Sequence, residues 1–424
     1  MKLLIKNAEV LCARKAGRQP VGIDGGLIEF VGDSPEGFTP DETIDASRCV
    51  VMPGLVNAHT HSAMTLLRNL ADDCAFDEWL FGKVIPFENK LTDEDVRRGA
   101  ELAAAEMLLS GTTAFADMYI HAERTAEVVM ETGMRANLSR GPITSAARGG
   151  GQTVDERACS DFIKKWGGGG SGRIIACVEI HSAFLYDPDA IAEAALLAKR
   201  LGVGIHIHIS ESHKEQRTIR EKYGATPTEL CERLGVFEVP VIAAHCVHVS
   251  DGDISILASK GVSAVHNPTS NLKLANGVAP VGKLLKAGVN VALGTDSCCS
   301  NNNLNMFEEL HLAATLHKGV SGDAEILSAE ECVKLATVNG ARALGFDDLG
   351  RLEPGQKADL IIIDADAPHL CPLGDAYAAI AYSAQASDVR DVVVDGKVLV
   401  RNRELKTVDL ERAMRHARRL RGEF

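Results

Sequence analysis

The sequence predicts an α/β protein, a (β/α)8 TIM barrel carrying a small β-sandwich domain built by both termini. Three observations predict it. Eight β-branched or alternating runs are each followed by a helix-patterned segment, the signature of a closed parallel barrel. Strand-like segments of one type stand at the two ends of the chain. The length of 424 residues exceeds one small domain and suits a barrel with an accessory domain. An open doubly wound sheet is the rival. It is disfavoured because no Gly-rich phosphate turn follows the first strand.

From Leu3 to Val51 the chain reads as short strands, LLIKNAEVLC, VGIDGGLIEFVG and ETIDASRCVVMPG, separated by Gly-rich turns. The barrel runs are VVMPGLVNAHTH, GTTAFADMY, MRANLSR, RIIACVEIHS, VGIHIHIS, PVIAAHCVH, GVSAVHNPTS and VNVALGTDS. Between them, DEDVRRGAELAAAEMLLSG, ERTAEVVMETG and DAIAEAALLAKRLG have helical spacing and end near Gly. GGGGSG at Gly167 to Gly172 is a turn rather than a phosphate loop, since no Lys-Ser/Thr follows. KADLIIIDAD and VRDVVVDGKVLVRNREL are strand-like again, the second with an Asp395-Gly396 hairpin signal. DLERAMRHARRLRG is a basic amphipathic helix, a pattern more often a solvated face than a partner site. The expected division is a composite β domain from 1–50 and 354–405, a barrel over 51–353, and a helix over 406–424.

Hydrophobic residues make up 46% and charged residues 24%, ordinary globular composition. A net charge of −13 gives the chain no electrostatic reason to seek nucleic acid or an anionic membrane. The start, MKLLIKNAEV, lacks the pattern of a signal peptide, and no run is long enough for a membrane span. The 11 cysteines have no paired metal spacing, so reduced thiols and a cytoplasmic setting are expected. The adjacent Cys298 and Cys299 read as small apolar fillers beside a strand end.

Barrel chemistry sits at the carboxyl ends of the strands, and here those ends are polar. The first ends in His59-Thr60-His61, with both imidazoles on one face by alternation. The fourth carries Glu179 and His181, and the fifth His206, His208 and Glu211. The sixth carries His245 and His248, the seventh His266 and the eighth Asp296. Buried imidazoles each need a partner, so apolar strands gain no stability from carrying so many. Neutral imidazoles with a carboxylate suit a divalent metal, and three nitrogens plus one oxygen leave room for water, as in catalytic sites. The zinc-deaminase architecture with Pro-Cys-x-x-Cys is excluded, because that motif does not occur.

PGLVNAHTHSAMTLLRN and GTDSCCSNNNLNMFEE resemble the first- and eighth-strand motifs of the amidohydrolase superfamily, and the resemblance covers nearly the whole chain. Many members hold two metals bridged by a carboxylated Lys on the fourth strand. RIIACVEIHS has no Lys, which implies one metal, as in the superfamily's deaminases. DEWLFGKVIPFENKLTDED, HISES, AAHCVHVS and HNPTSNLKLANGVAPV are similar to the 5-methylthioadenosine/S-adenosylhomocysteine deaminases.

That resemblance implies His59, His61, His208 and Asp296 as ligands of one divalent ion, Zn2+ by preference, with Fe2+ or Mn2+ able to use the same donors. It implies Glu211 against the substrate ring, Glu88 on the ribose hydroxyls and His181 on the nucleoside. Arg140 and Arg148 fit the two arginines that grip an amino-acid carboxylate. Trp79, in the segment bearing Glu88, is a substrate contact or a packing residue. Glu211 would protonate a ring nitrogen, His245 would orient the attacking water, and Asp296 would carry its proton to the departing ammonia. Helix capping is the rival role for Glu211, and a core position for His245. His206 reads as an interior group behind His208.

The implied reaction is hydrolytic deamination of adenosine-type nucleosides at a cyclic amidine C–N bond. S-adenosylhomocysteine would give S-inosylhomocysteine, and 5′-methylthioadenosine would give 5′-methylthioinosine. The alternative is a related enzyme for another aminated ring: guanine, a pterin, cytosine or an s-triazine. A two-metal cyclic amidase is a further rival. The expected partner is a small nucleoside, with a homo-oligomer if an arginine crosses a subunit boundary.

Overall fold

The computed structural model describes residues 1–11, 17–145 and 152–422. Its strands Leu55–Thr60, Thr112–Met118, Arg135–Arg140, Ile174–Ser182, Ile205–Ile209, Val241–His245, Ser263–His266 and Asn290–Leu293 pair in chain order as an eight-stranded parallel sheet. Their apolar runs are covered on the outside by helices, so strands such as Leu55–Thr60 and Val241–His245 are buried throughout. The ring closes through a parallel bridge between Thr60 and Asp296. There the Asp296 N–H donates to the His59 carbonyl at 2.9 Å. Two of the residues singled out by the sequence therefore also seal the barrel.

Helix signals act where the sequence places them. Thr92 caps Asp93–Leu109, its hydroxyl accepting from the Asp95 N–H while the Asp95 carboxylate accepts from the Thr92 N–H. Pro188–Leu201 starts on Pro and stops at Gly202, which takes a left-handed φ of 67°.

A second sheet of nine strands gathers both ends of the chain. Lys2–Val10 pairs antiparallel with Gly17–Asp24 and parallel with Glu42–Asp45 and Cys49–Pro53. Leu360–Asp364 joins on the far side of Cys49–Pro53, followed by Val389–Val394 and Lys397–Arg401. Asp395 and Gly396 turn that last hairpin with φ of 52° and 69°, as an Asp-Gly pair favours. The run VVMPGLVNAHTH holds two strands rather than one. Cys49–Pro53 lies in the terminal sheet, and the barrel begins at Leu55 after Gly54. A Cβ at Gly54 would stand 2.1 Å from the Thr113 hydroxyl oxygen, so the crossing between sheets needs glycine.

Arg135 joins the two bodies. It is 1% exposed, and its Nε and Nη2 donate to both Asp359 oxygens at 2.7 and 3.0 Å. Leu410–Arg421 docks on the first barrel helix through His416 Nε2 to Asp95 Oδ1 at 2.8 Å. The stretch between the first strand and that helix roofs the barrel mouth. It contains a π-helical turn, Glu78–Val84, and the short helix Ile85–Glu88, with Trp79, Leu80 and Val84 packed on Met64 and Tyr119. No helix among the described residues is long and apolar enough to cross a membrane.

Candidate metal centre and substrate cavity

Four strand ends meet at one point. His59 and His61 leave the first strand, His208 the fifth, and His245 the sixth, while Asp296 follows the eighth. His59 and His61 place their Nε2 atoms 3.5 and 3.4 Å from Asp296 Oδ1, and His61 Nε2 is 3.3 Å from His208 Nε2. His245 Nε2 stands 4.0 Å from Asp296 Oδ2 and 4.0 Å from Glu211 Oε1. His245 and Asp296 hold this aim with positive φ of 74° and 62°, a conformation non-glycine residues rarely adopt.

The far side of each ring is tied down. His59 Nδ1 faces His206 Nε2 at 2.9 Å, His208 Nδ1 faces the His181 carbonyl at 2.7 Å, and His61 Nδ1 bonds the Met118 carbonyl. His245 Nδ1 faces Asn271 Oδ1 at 2.8 Å. Asp296 Oδ2 accepts from the Ser270 and Ser300 hydroxyls at 2.6 and 2.9 Å. Ring orientation fixed on one nitrogen leaves the other free as a ligand. Gly294 permits the packing, since a Cβ there would lie 2.8 Å from the His59 backbone nitrogen.

These donors fit a divalent ion. His59 Nε2 is buried without a hydrogen-bond partner, and the ligand atoms of His59, His61 and Asp296 lie within 4.8 Å of one another. The same spacing holds for His59, His208 and His245. Burial drives His59 down to about 4, keeping its imidazole neutral. Burial works against a charged His61 as well, but hydrogen bonding and attraction to Asp296 lift it to about 9. Asp296 stays well below the carboxylate range because His59 and His61 outweigh its burial. The cluster thus attracts positive charge at the point where its nitrogens converge.

The cavity beside this cluster is lined by Trp79, Glu88, Tyr119, Glu179, His181 and Glu211 together with His61, His208, His245 and Asp296. Glu211 lies just before the helix His213–Tyr223, whose cap is Ser212. Its own carboxylate instead accepts from Asn276 at 3.1 Å, and its backbone N–H is held by Glu215 at 2.8 Å. Burial raises the Glu211 and Glu88 carboxyls. Trp79 both packs the roof and lines the cavity, its indole N–H donating to the Cys299 carbonyl at 3.3 Å.

Arg140 is not among the cavity-lining residues. Its Nε lies 3.7 Å from Glu123, and its Nη1 donates to the Gly141 carbonyl at 3.4 Å. Arg148 falls outside the described residues. The sequence reading gave no role to Asp117, which shapes the turn after His61. It accepts from the Ser62 N–H and hydroxyl at 2.6 and 2.9 Å. An acid at the end of the apolar run GTTAFADMY was the available signal.

The amidohydrolase family profile matches residues 50–399. The 5-methylthioadenosine/S-adenosylhomocysteine deaminase of Acetivibrio thermocellus is 51% identical over 420 residues, covering 97% of each chain. The enzyme of that name from Pelotomaculum thermopropionicum is 48% identical, over 94% of this chain and 92% of its own. Among solved structures, a zinc-bound adenosine deaminase from Xanthomonas campestris superposes with a TM-score of 0.93 at 34% identity, covering 99% and 98% of the two chains. A zinc-bound atrazine chlorohydrolase from Arthrobacter aurescens gives 0.91 at 26% identity, covering 99% of each. The family is metal-dependent, in keeping with the His/Asp cluster. The chain belongs to the amidohydrolase family and groups within it with the 5-methylthioadenosine/S-adenosylhomocysteine deaminases.

Proposed function

We propose that the protein deaminates adenosine-type nucleosides by hydrolysis, releasing ammonia. S-adenosylhomocysteine would yield S-inosylhomocysteine, and 5′-methylthioadenosine would yield 5′-methylthioinosine. The observation that carries this reading is the Glu211 carboxyl, lining the cavity 4.0 Å from His245 beside the His/Asp cluster. His59, His61, His208 and Asp296 would hold one Zn2+, with Fe2+ or Mn2+ compatible with the same donors. When bound, such an ion supplies a Lewis acid that makes water nucleophilic near neutral pH.

The chain's own groups do the rest. Glu211, its carboxyl pushed up by burial, would donate a proton to the ring nitrogen as negative charge builds there. With its Nδ1–H given to Asn271, His245 presents Nε2 as an acceptor that orients the attacking water. Asp296, a carboxylate at the outset, would take the proton given up by the attacking water and pass it to the leaving amine. Glu88 accepts from both ribose hydroxyls, a geometry one carboxylate satisfies. His181 and Trp79 would flank the nucleoside, while Arg140 and Arg148 would serve a charged 5′ tail. All ten described cysteines are free thiols, which fits a reducing cytoplasm.

The test is the ultraviolet shift from an adenine to a hypoxanthine chromophore. Turnover of S-adenosylhomocysteine or methylthioadenosine is expected, and no shift with any 5′-modified adenosine would defeat the reading. A second reading, hydrolysis of an s-triazine, draws on the likeness to the chlorohydrolase. It predicts release of chloride or amine from triazines and indifference to Glu88→Ala.

A further inference from the structure

Glu179 lines the cavity, yet neither catalysis nor ribose binding uses it. Among the described residues its carboxylate has no hydrogen-bond or ion-pair partner. It sits on the fourth barrel strand with its acid group turned toward the end of the third. A Cβ built on Gly141 would lie 3.3 Å from the Glu179 carboxyl carbon and 3.4 and 3.5 Å from its oxygens. Arg140, just before Gly141, pairs in the ladder with Val178, just before Glu179. Glu179 and Arg140 therefore stand on adjacent strand ends. Burial lifts the Glu179 carboxyl to about 7, with His61 and then Arg140 opposing.

The proposed nucleosides identify the cation. Adenine and ribose are neutral and are matched by Glu211 and Glu88. A methylthio tail carries no charge, whereas a homocysteine tail is a zwitterion. We infer that Glu179 is a specificity-determining residue that accepts the α-ammonium of an amino-acid tail on the 5′ sulfur. This rests on the deaminase reading above. The carboxylate of the same tail then points toward Arg140. A buried acid left facing a methyl group gains nothing, so Glu179 favours the charged substrate over the thioether alone.

The experiment compares kcat and KM for S-adenosylhomocysteine, methylthioadenosine and the desamino analogue whose tail keeps only the carboxylate. In the wild type, the amino-bearing substrate is expected to exceed the desamino analogue in kcat/KM by roughly 10- to 100-fold. Glu179→Gln should lower the ratio of kcat/KM for S-adenosylhomocysteine over methylthioadenosine by a similar factor, through KM. Glu179→Asp should restore part of it. Equal losses on both nucleosides, an unmoved ratio, or a wild type indifferent to the amino group would each overturn the inference alone. A wild type that deaminates none of the three would overturn the deaminase reading and the inference with it.

Discussion

His59 Nδ1 lies 2.9 Å from His206 Nε2, and neither imidazole is exposed to solvent. With Nε2 engaged by a metal, the proton of the neutral His59 ring would sit on Nδ1 and be donated to His206 Nε2. His206 thereby fixes the tautomer that leaves a lone pair for the metal. Replacing it with Ala should weaken metal retention by about 10- to 100-fold. Metal content after dialysis against graded chelator measures this, and retention equal to wild type would refute it.

Glu211→Gln should leave the metal in place and remove the proton donor. We expect kcat to fall by about 100- to 10,000-fold with little change in bound metal. Parallel assays of turnover and metal stoichiometry separate this from a structural role, which would lower both.

Glu88→Ala should act on binding. A carboxylate bonded to two hydroxyls contributes on the order of 1.5–3 kcal/mol, so KM for the nucleosides should rise about 10- to 100-fold. A 2′,3′-dideoxy substrate should show no such difference between variant and wild type, and an equal difference would place Glu88 elsewhere.

The barrel and the polar cluster at its mouth were legible because strand-end histidines break an apolar pattern in a way that packing alone does not favour. His59 comes together with His61 and Asp296 and also with His208 and His245, and His61 Nε2 lies 3.3 Å from His208 Nε2. The boundary at Gly54 was not legible, since VVMPGLVNAHTH is uniformly apolar on both sides of the crossing. Only pairing partners show that Cys49–Pro53 belongs to the other sheet. Glu88 and Trp79 were reached by resemblance, because an irregular π-helical roof has no period to read. Glu179 was visible as a strand acid, but its lack of a partner among the described residues is a property of three dimensions.

The Arg135–Asp359 pair predicts a stability effect far from the site. Both side chains are within 1% of full burial. Removing one partner strands a buried charge, so Arg135→Met or Asp359→Leu alone should destabilise by about 3–5 kcal/mol. The double variant should recover much of that loss. Thermal unfolding of the three proteins measures it, and additive losses would show that the pair does not act as a unit.

Glu215 predicts a pH dependence. Burial lifts its carboxyl to about 8 even though the Glu211 N–H donates to it, and its Oε1 has no partner. In the unfolded chain the same group titrates near 4.5. Between these values the folded protein holds one more proton than the unfolded chain. The contribution is therefore fully present below pH 4.5 and is lost as pH rises through 8. One proton corresponds to a slope of at most about 1.4 kcal/mol per pH unit. Glu215→Gln removes this titration while keeping an acceptor for the Glu211 N–H. The Tm advantage of wild type over the variant should thus shrink steadily from pH 5 to pH 8. Thermal unfolding across that range tests it, and two parallel Tm curves would show that Glu215 is already ionised in the fold.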